Sequence, residues 1–316
     1  MRLRRERERD GGVPKSVPMT GRDVSFRSAE PISNLRNSSH SEMRSGNNNS
    51  SKLPFFFCIR SPTMSGFVNI ELPMDKLCLG SLEPEESPET HTHREQKFVV
   101  LLSPGSFNPP TYMHLRIFEL ARDALHSEGF FVVGGYMSPV NDAYRKRGLL
   151  SAKHRIEMCH LACKSSEFIM VDPWEANQDM FQRTLTVLCR IKSSLVESGR
   201  ISGDSLKVML VCGSDLLESF SIPGFWIPEQ VRTICRDFGV VCIRREGQDI
   251  EKLISNDEIL NEYKSNIKVV DELVPNQISS TRVRDSISRG LSIKYLTADE
   301  VIDYITKHHL YVNSTM

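Results

Sequence analysis

Lys97-Phe98-Val99-Val100-Leu101-Leu102-Ser103-Pro104-Gly105-Ser106-Phe107-Asn108-Pro109-Pro110-Thr111-Tyr112-Met113-His114 changes character twice along its length. An apolar run of strand length gives way to a Gly-Ser turn, and the spacing of Leu115, Phe118 and Leu120 beyond it predicts a helix. A strand, a glycine turn and a helix start make an anion site. Gly105 lets the backbone come close to a phosphate, and the N–H groups of the first helical turn have no partners of their own. His114, in that first turn, would aim a ring nitrogen at the same anion. Taken alone, a Gly-Ser-Phe turn with a single histidine is more often structural than functional.

Outward from this stretch, strand-length apolar runs alternate with amphipathic segments. The strand candidates are residues 97–102, 131–136, 168–171, 206–212, 240–243 and 267–270. Helical patterns lie between them, near residues 113–126, 152–164, 179–197, 228–237 and 281–289, with a last one at 298–307. The alternation predicts an α/β fold: a Rossmann-like, doubly wound parallel sheet of about six strands flanked by helices. In such folds ligands bind beyond the carboxyl ends of the strands, so the loops that follow the strands are where chemistry is expected.

The chain has 316 residues, 39 % hydrophobic and 25 % charged, an ordinary globular composition. No stretch approaches the roughly 20 apolar residues that span a bilayer; the longest candidate is Leu53 to Ile59. Net charge is zero, but residues 1–63 hold 12 Lys/Arg against 6 Asp/Glu, leaving 28 against 34 for the rest. The mildly acidic body gives no electrostatic reason to expect nucleic acid or an anionic membrane surface. The eight cysteines form no CxxC pair and no Cys/His zinc spacing, so they read as reduced core thiols, and no protein metal site is predicted. Residues 1–75 are expected to be a disordered Arg/Ser-rich extension, 76–96 an acidic linker, and 97–316 the functional domain. The six acids among the first 63 residues argue against an organelle transit peptide. Cytoplasm or nucleus is the default compartment, an organelle the alternative, and Met64 or Met74 could be internal starts.

A second anion-binding pattern follows the last strand: Asn276-Gln277-Ile278-Ser279-Ser280-Thr281-Arg282-Val283-Arg284. Ser279 or Ser280 suits an N-cap, and Thr281 and Arg284, three residues apart, share one side of the first turn. There a hydroxyl, a guanidinium and free N–H groups can converge on a polyphosphate. An ordinary capped helix with solvated arginines would look the same.

Together the two elements resemble the nucleotidylyltransferase superfamily, with its (His/Thr)-x-x-His loop at Thr111 to His114 and its Ile-Ser-Ser-Thr-x-x-Arg helix start at Ile278 to Arg284. Ser138 to Tyr144 and Cys212 to Phe220 narrow the likeness to the eukaryotic nicotinamide/nicotinate mononucleotide adenylyltransferases, over roughly residues 97 to 311. The resemblance implies an enzyme that joins ATP to either mononucleotide, giving the dinucleotide and pyrophosphate. It implies that His114, Arg284 and Lys146 are catalytic. It places Gly105, Ser106, His114, Gly213, Asp215, Ser279, Ser280, Thr281 and Arg284 on ATP. Ser106, Lys146, Phe181, Thr184, Phe225, Trp226, Arg245 and Asn276 fall to the mononucleotide or the dinucleotide product. Phe181 and Trp226 would sandwich the pyridine ring, with Phe181 and Thr184 on the helix after Trp174-Glu175. Members of the family can carry Trp at the position of Phe181 and an acid at that of Arg183. The implied cofactor is a divalent cation, Mg²⁺, held through substrate phosphates, and homo-oligomers are common in the family. Relatives that adenylylate phosphopantetheine or riboflavin phosphate, and a nucleotide binder without turnover, are the competing readings.

Overall fold

Alternate residues of the first strand face opposite ways and both faces are apolar, so the strand can only lie in a sheet covered on both sides. Val100 and Leu102 pack on one side with Val187, Leu188, Ile191 and Leu195, while Val99 and Leu101 pack on the other with Ile117, Phe118, Ala121 and Leu125. The computed structural model describes residues 67–79, 97–144 and 146–312. Its strands are β1 (Lys97–Gly105), β2 (Phe130–Pro139), β3 (Ile169–Val171), β4 (Leu206–Gly213), β5 (Val240–Arg244) and β6 (Ile267–Asp271). They form one parallel sheet in the order β3-β2-β1-β4-β5-β6. The chain crosses over in opposite directions from β1 and β4, so a crevice opens at the carboxyl ends of these two neighbours.

The helices are α1 (Tyr112–His126), α2 (Ala152–Ala162), α3 (Thr184–Glu197), α4 (Ser214–Ser219), α5 (Pro228–Thr233), α6 (Ile250–Asn256), α7 (Glu258–Glu262), α8 (Ser280–Ser288) and α9 (Asp299–Lys307). A third apolar cluster joins Met158 and Ala162 of α2 to Val283 of α8 and Val301 and Ile305 of α9. The terminal segment thereby packs on α2 and α8. Among the described residues no helix is long and apolar enough to cross a membrane.

Four details differ from the sequence reading. Helix α3 begins at Thr184, because residues 179–183 are not helical and Arg183 has extended N-cap geometry. The helix expected over 228–237 widens after Thr233 into a π turn that ends at Gly239, whose φ is 84°. Helices α4, α6 and α7 are too short to show a helical period in sequence. Residues 67–79, read partly as disordered extension and partly as linker, lie against the sheet. Leu72 is buried, Cys78 N–H donates to the Val133 carbonyl at 2.8 Å, and Leu77 approaches so near that a Cβ on Gly134 would stand 2.6 Å from it. The rest of the proposed extension and linker, with Cys58 and Leu53 to Ile59, lies outside the described residues. The seven described cysteines are all unbridged.

Candidate active site

Phe107 follows the glycine turn at a positive φ of 44°, which folds its ring back over Gly105. A Cβ on Gly105 would sit 2.9 Å from that ring, so only glycine leaves this backbone bare. The same ring meets His114 edge-on, with centroids 5.2 Å apart. The Thr111 backbone N–H donates to His114 Nδ1 at 3.0 Å in a capping box at the start of α1. An N–H can only donate, so Nδ1 accepts and the neutral ring carries its proton on Nε2. Burial, then the charges of Arg245 and Lys146, push the imidazole pKa down to about 4. At neutral pH the ring is therefore an uncharged donor.

Lys146 comes from the loop after β2, and its Nζ lies 3.3 Å from Ser106 Oγ. Burial and the neighbouring Arg284 lower its pKa. Arg284, on α8, donates to the Asn108 carbonyl at 2.8 Å, and burial lowers its pKa too. Arg245 and Lys146 thus lie close enough to disfavour a charge on His114, and Arg284 close enough to disfavour one on Lys146. Arg245 is the one with a carboxylate partner, Asp215, at 2.5 Å. Asp215 lies in the first turn of α4, whose N-cap is Gly213 at the end of β4. On the other side Ser279 caps α8 by accepting the Arg282 N–H at 3.3 Å, and Ser280 Oγ donates to the Pro109 carbonyl at 2.7 Å. The two sequence elements are therefore tied together. Thr281 is exposed on the first turn of α8. Asn276 lines a cleft of about 470 Å³ with Tyr112, Met113 and Ile278, and its Nδ2 lies 3.3 Å from Met113 Sδ.

The aromatic pair needs one correction. Phe181 is not on a helix; it lies in the extended segment before α3, half-exposed, and stacks on Tyr144 with centroids 6.0 Å apart. Thr184 is the first residue of α3. Trp226 leans edge-on against Phe220 at 4.6 Å and donates from Nε1 to Ser219 Oγ at 3.0 Å. The rings of Phe181 and Trp226 do not touch each other. Phe225 beside Trp226 is exposed.

Two residues that hold the site together escaped the sequence reading. Arg155 on α2 is fully buried and donates to the carbonyls of Leu150 at 2.7 Å, Ser106 at 3.1 Å and Val140 at 2.7 Å, and to Asp142 Oδ1 at 2.7 Å. It rivets the loop after β1 to the loop after β2. Asn108 donates from Nδ2 to the Gly148 carbonyl at 2.8 Å, and its Oδ1 accepts from Tyr311 Oη at 2.9 Å. In sequence, Arg155 falls within the helical pattern at 152–164, with no sign that it turns inward.

Glu175 is also buried and accepts from Ser138 Oγ at 3.0 Å. Burial outweighs that bond and lifts its carboxyl pKa to about 8, against about 4.5 in the open chain. A raised folded-state value means that the unfolded chain releases the proton first, so stability falls as pH climbs through this window. Glu175→Gln is accordingly expected to raise Tm relative to wild type at pH 9, with a smaller difference at pH 5; a larger gain at pH 5 would contradict this.

Among the described residues, no group of three or more His, Cys, Asp and Glu side chains is placed to hold a metal. The convergent groups are cations, hydroxyls and N–H donors, a set that fits a polyphosphate and would repel a bare cation.

Comparison with known proteins agrees with this chemistry. The cytidylyltransferase-like family profile matches residues 102–286. A nicotinamide/nicotinic acid mononucleotide adenylyltransferase of Arabidopsis thaliana is 62 % identical over 248 residues, covering 78 % of this chain and 100 % of that protein. Its namesake in Oryza sativa is 68 % identical over 212 residues, covering 67 % and 85 %. Enzyme 1 of that name in Bos taurus is 40 % identical over 253 residues, covering 69 % and 90 %. On the family match and these identities, the chain belongs to the cytidylyltransferase-like family and, within it, to the nicotinamide/nicotinic acid mononucleotide adenylyltransferases.

Proposed function

We propose that the crevice between β1 and β4 joins ATP to nicotinamide mononucleotide or nicotinate mononucleotide, releasing pyrophosphate. The observation that carries this reading is the gathering of His114, Lys146, Arg245 and Arg284 beside a bare Gly105-Ser106 turn. Burial, then the charges of Arg245 and Lys146, lower the pKa of His114; burial, then Arg284, lowers that of Lys146; burial alone lowers that of Arg284, and a polyanion bound among them would favour the charged lysine and arginine.

The reaction is attack by the mononucleotide 5′-phosphate on the α-phosphorus of ATP, with pyrophosphate leaving opposite. Both nucleophile and leaving group belong to the substrates, so the protein's task is to position them and to stabilise charge. Gly105 and Ser106 cradle the phosphates, and His114 Nε2–H donates to an α-phosphate oxygen as its charge grows. Ser279, Ser280, Thr281 and Arg284 hold the triphosphate tail at the start of α8. Gly213 and Asp215 meet the ATP ribose. Lys146 reaches the mononucleotide phosphate, while Phe181, Thr184, Phe225 and Trp226 enclose the pyridine ring, and Arg245 and Asn276 complete the dinucleotide site. Residues 97–312, with 67–79 laid against them, form the catalytic domain. A divalent cation, Mg²⁺, would enter with the substrate phosphates and would supply neutralisation of their charge. The chain's donors fit the phosphates that would carry it.

Purified protein given ATP, Mg²⁺ and either mononucleotide is expected to form the dinucleotide, read by chromatography. Absence of product from both, with ATP still bound, would refute the assignment. Arg183 stands where family members can have an acid, so Arg183→Glu is expected to change the ratio of the two products.

A further inference from the structure

We propose that residues 67–70 are a positioning strap for the mononucleotide half of the site, an inference that rests on the function proposed above. The backbone of Val68 is read at two points by the buried side chain of Gln178: Nε2 donates to the Val68 carbonyl at 3.1 Å, and the Val68 N–H donates to Oε1 at 3.0 Å. Gln178 Nε2 also donates to the Trp174 carbonyl at 2.9 Å, closing the turn that leads to Phe181. One residue back, the Phe67 ring lies 5.7 Å from that of buried Trp174. The Arg190 guanidinium lies 5.3 Å from the Trp174 ring and holds Asp172 at 2.5 Å. Arg190 also donates to the Ile70 carbonyl. The strap therefore grips residues 172–178 through a backbone pair, a ring contact and an arginine.

That turn supports the mononucleotide wall. Asn141 Nδ2 donates to the Gln178 carbonyl at 2.5 Å and to that of Ala176 at 3.3 Å, while its Oδ1 accepts the Ala143 N–H at 2.8 Å. Beyond Ala143 come Tyr144, which stacks on Phe181, and Lys146. The strap is thus connected, through Gln178, Asn141 and the Ala143-Tyr144 turn, to the Tyr144–Phe181 stack and the loop that carries Lys146. The hydrogen bonds of residues 67–79 go to 133, 136, 163–169, 178 and 190, and none among the described residues goes to Asp215 or Ser279 to Arg284. A loosened strap should therefore misplace one substrate and leave the other seated.

The test uses the full chain and four variants. Gln178→Met keeps length and removes the amide pairing, and Phe67→Ala removes the ring contact. Lys76→Met, outside the strap, removes the ammonium that donates to the Cys163, Ser166 and Ile169 carbonyls. Gln178→Met and Phe67→Ala are expected to raise the mononucleotide KM about tenfold while the ATP KM stays within about twofold, because displacing a positioning group weakens only what it positions. Gln178→Glu, which keeps the acceptor for Val68, should fall between. Lys76→Met should lower Tm with both KM values unchanged. Equal rises in both KM values, or loss of Tm with no KM change in Gln178→Met, would overturn the strap alone. Lack of wild-type turnover would overturn both this inference and the function beneath it.

Discussion

His114→Ala is expected to lower kcat by about 10²–10³-fold, the usual cost of deleting one donor to a developing oxyanion. The ring is held by the Thr111 N–H at one nitrogen and by the edge of Phe107, so Nε2–H is preset toward the anion site. Because its pKa is pushed down to about 4, the imidazole does not gain a proton as pH falls through the usual histidine range. It can donate without adding a fourth full charge to Lys146, Arg245 and Arg284. The lowered value also sets a stability window: the unfolded ring protonates near 6.5, so the stability this residue contributes is whole above that pH and gone below about 4. An NMR titration of the free enzyme should show the His114 ring still neutral at pH 5.5. The substitution also removes a capping-box contact worth about 0.5–2 kcal/mol, so a Tm loss of a few degrees should accompany intact circular dichroism. Near-normal turnover would remove His114 from the mechanism.

The second large effect is on the fold of the site. Arg155→Met should destabilise the protein by about 3–5 kcal/mol, since each buried acceptor left without a donor costs about 1–3 kcal/mol, and lower Tm by about 6–20 °C. The loss strands the carbonyls of Leu150, Ser106 and Val140 without a donor. Asp142, whose side chain is 53 % exposed, can turn to water, so Asp142→Asn should cost about 1 kcal/mol or less. Similar Tm values for the two variants would show that the buried guanidinium is not the rivet described above.

These two predictions also mark how far sequence alone reaches. The sheet was legible because strands buried on both faces must be written as continuous apolar runs, and β1, β4 and β5 are. Gly105, His114 and Ser279 were legible because a tight turn and helix starts demand particular residues at fixed spacing. Arg155 was not, since a charged side chain carries no mark of whether it faces water or a cage of carbonyls. Phe181 was assigned to a helix because apolar spacing from 185 onward can be extended backward; the Trp174 to Gln178 turn that forbids it is fixed by hydrogen bonds to Val68, more than a hundred residues earlier in the chain. The two-point amide pairing that orders residues 67–70 likewise has no local signature. Asp249 and Asp257 do cap α6 and α7, by accepting the N–H groups of Lys252 and Leu260, but a cap without a following period did not announce a helix.

A single displacement, in which the chain supplies donors and no nucleophile, leaves a distinct signature in isotope exchange. Protein, ATP, Mg²⁺ and labelled pyrophosphate are incubated with and without mononucleotide, and label is followed into ATP. Label is expected in ATP only when mononucleotide is present, since the reverse reaction needs the dinucleotide. Label entering ATP without mononucleotide would reveal an adenylylated protein, and no label under either condition would deny the activity; each result would contradict the account.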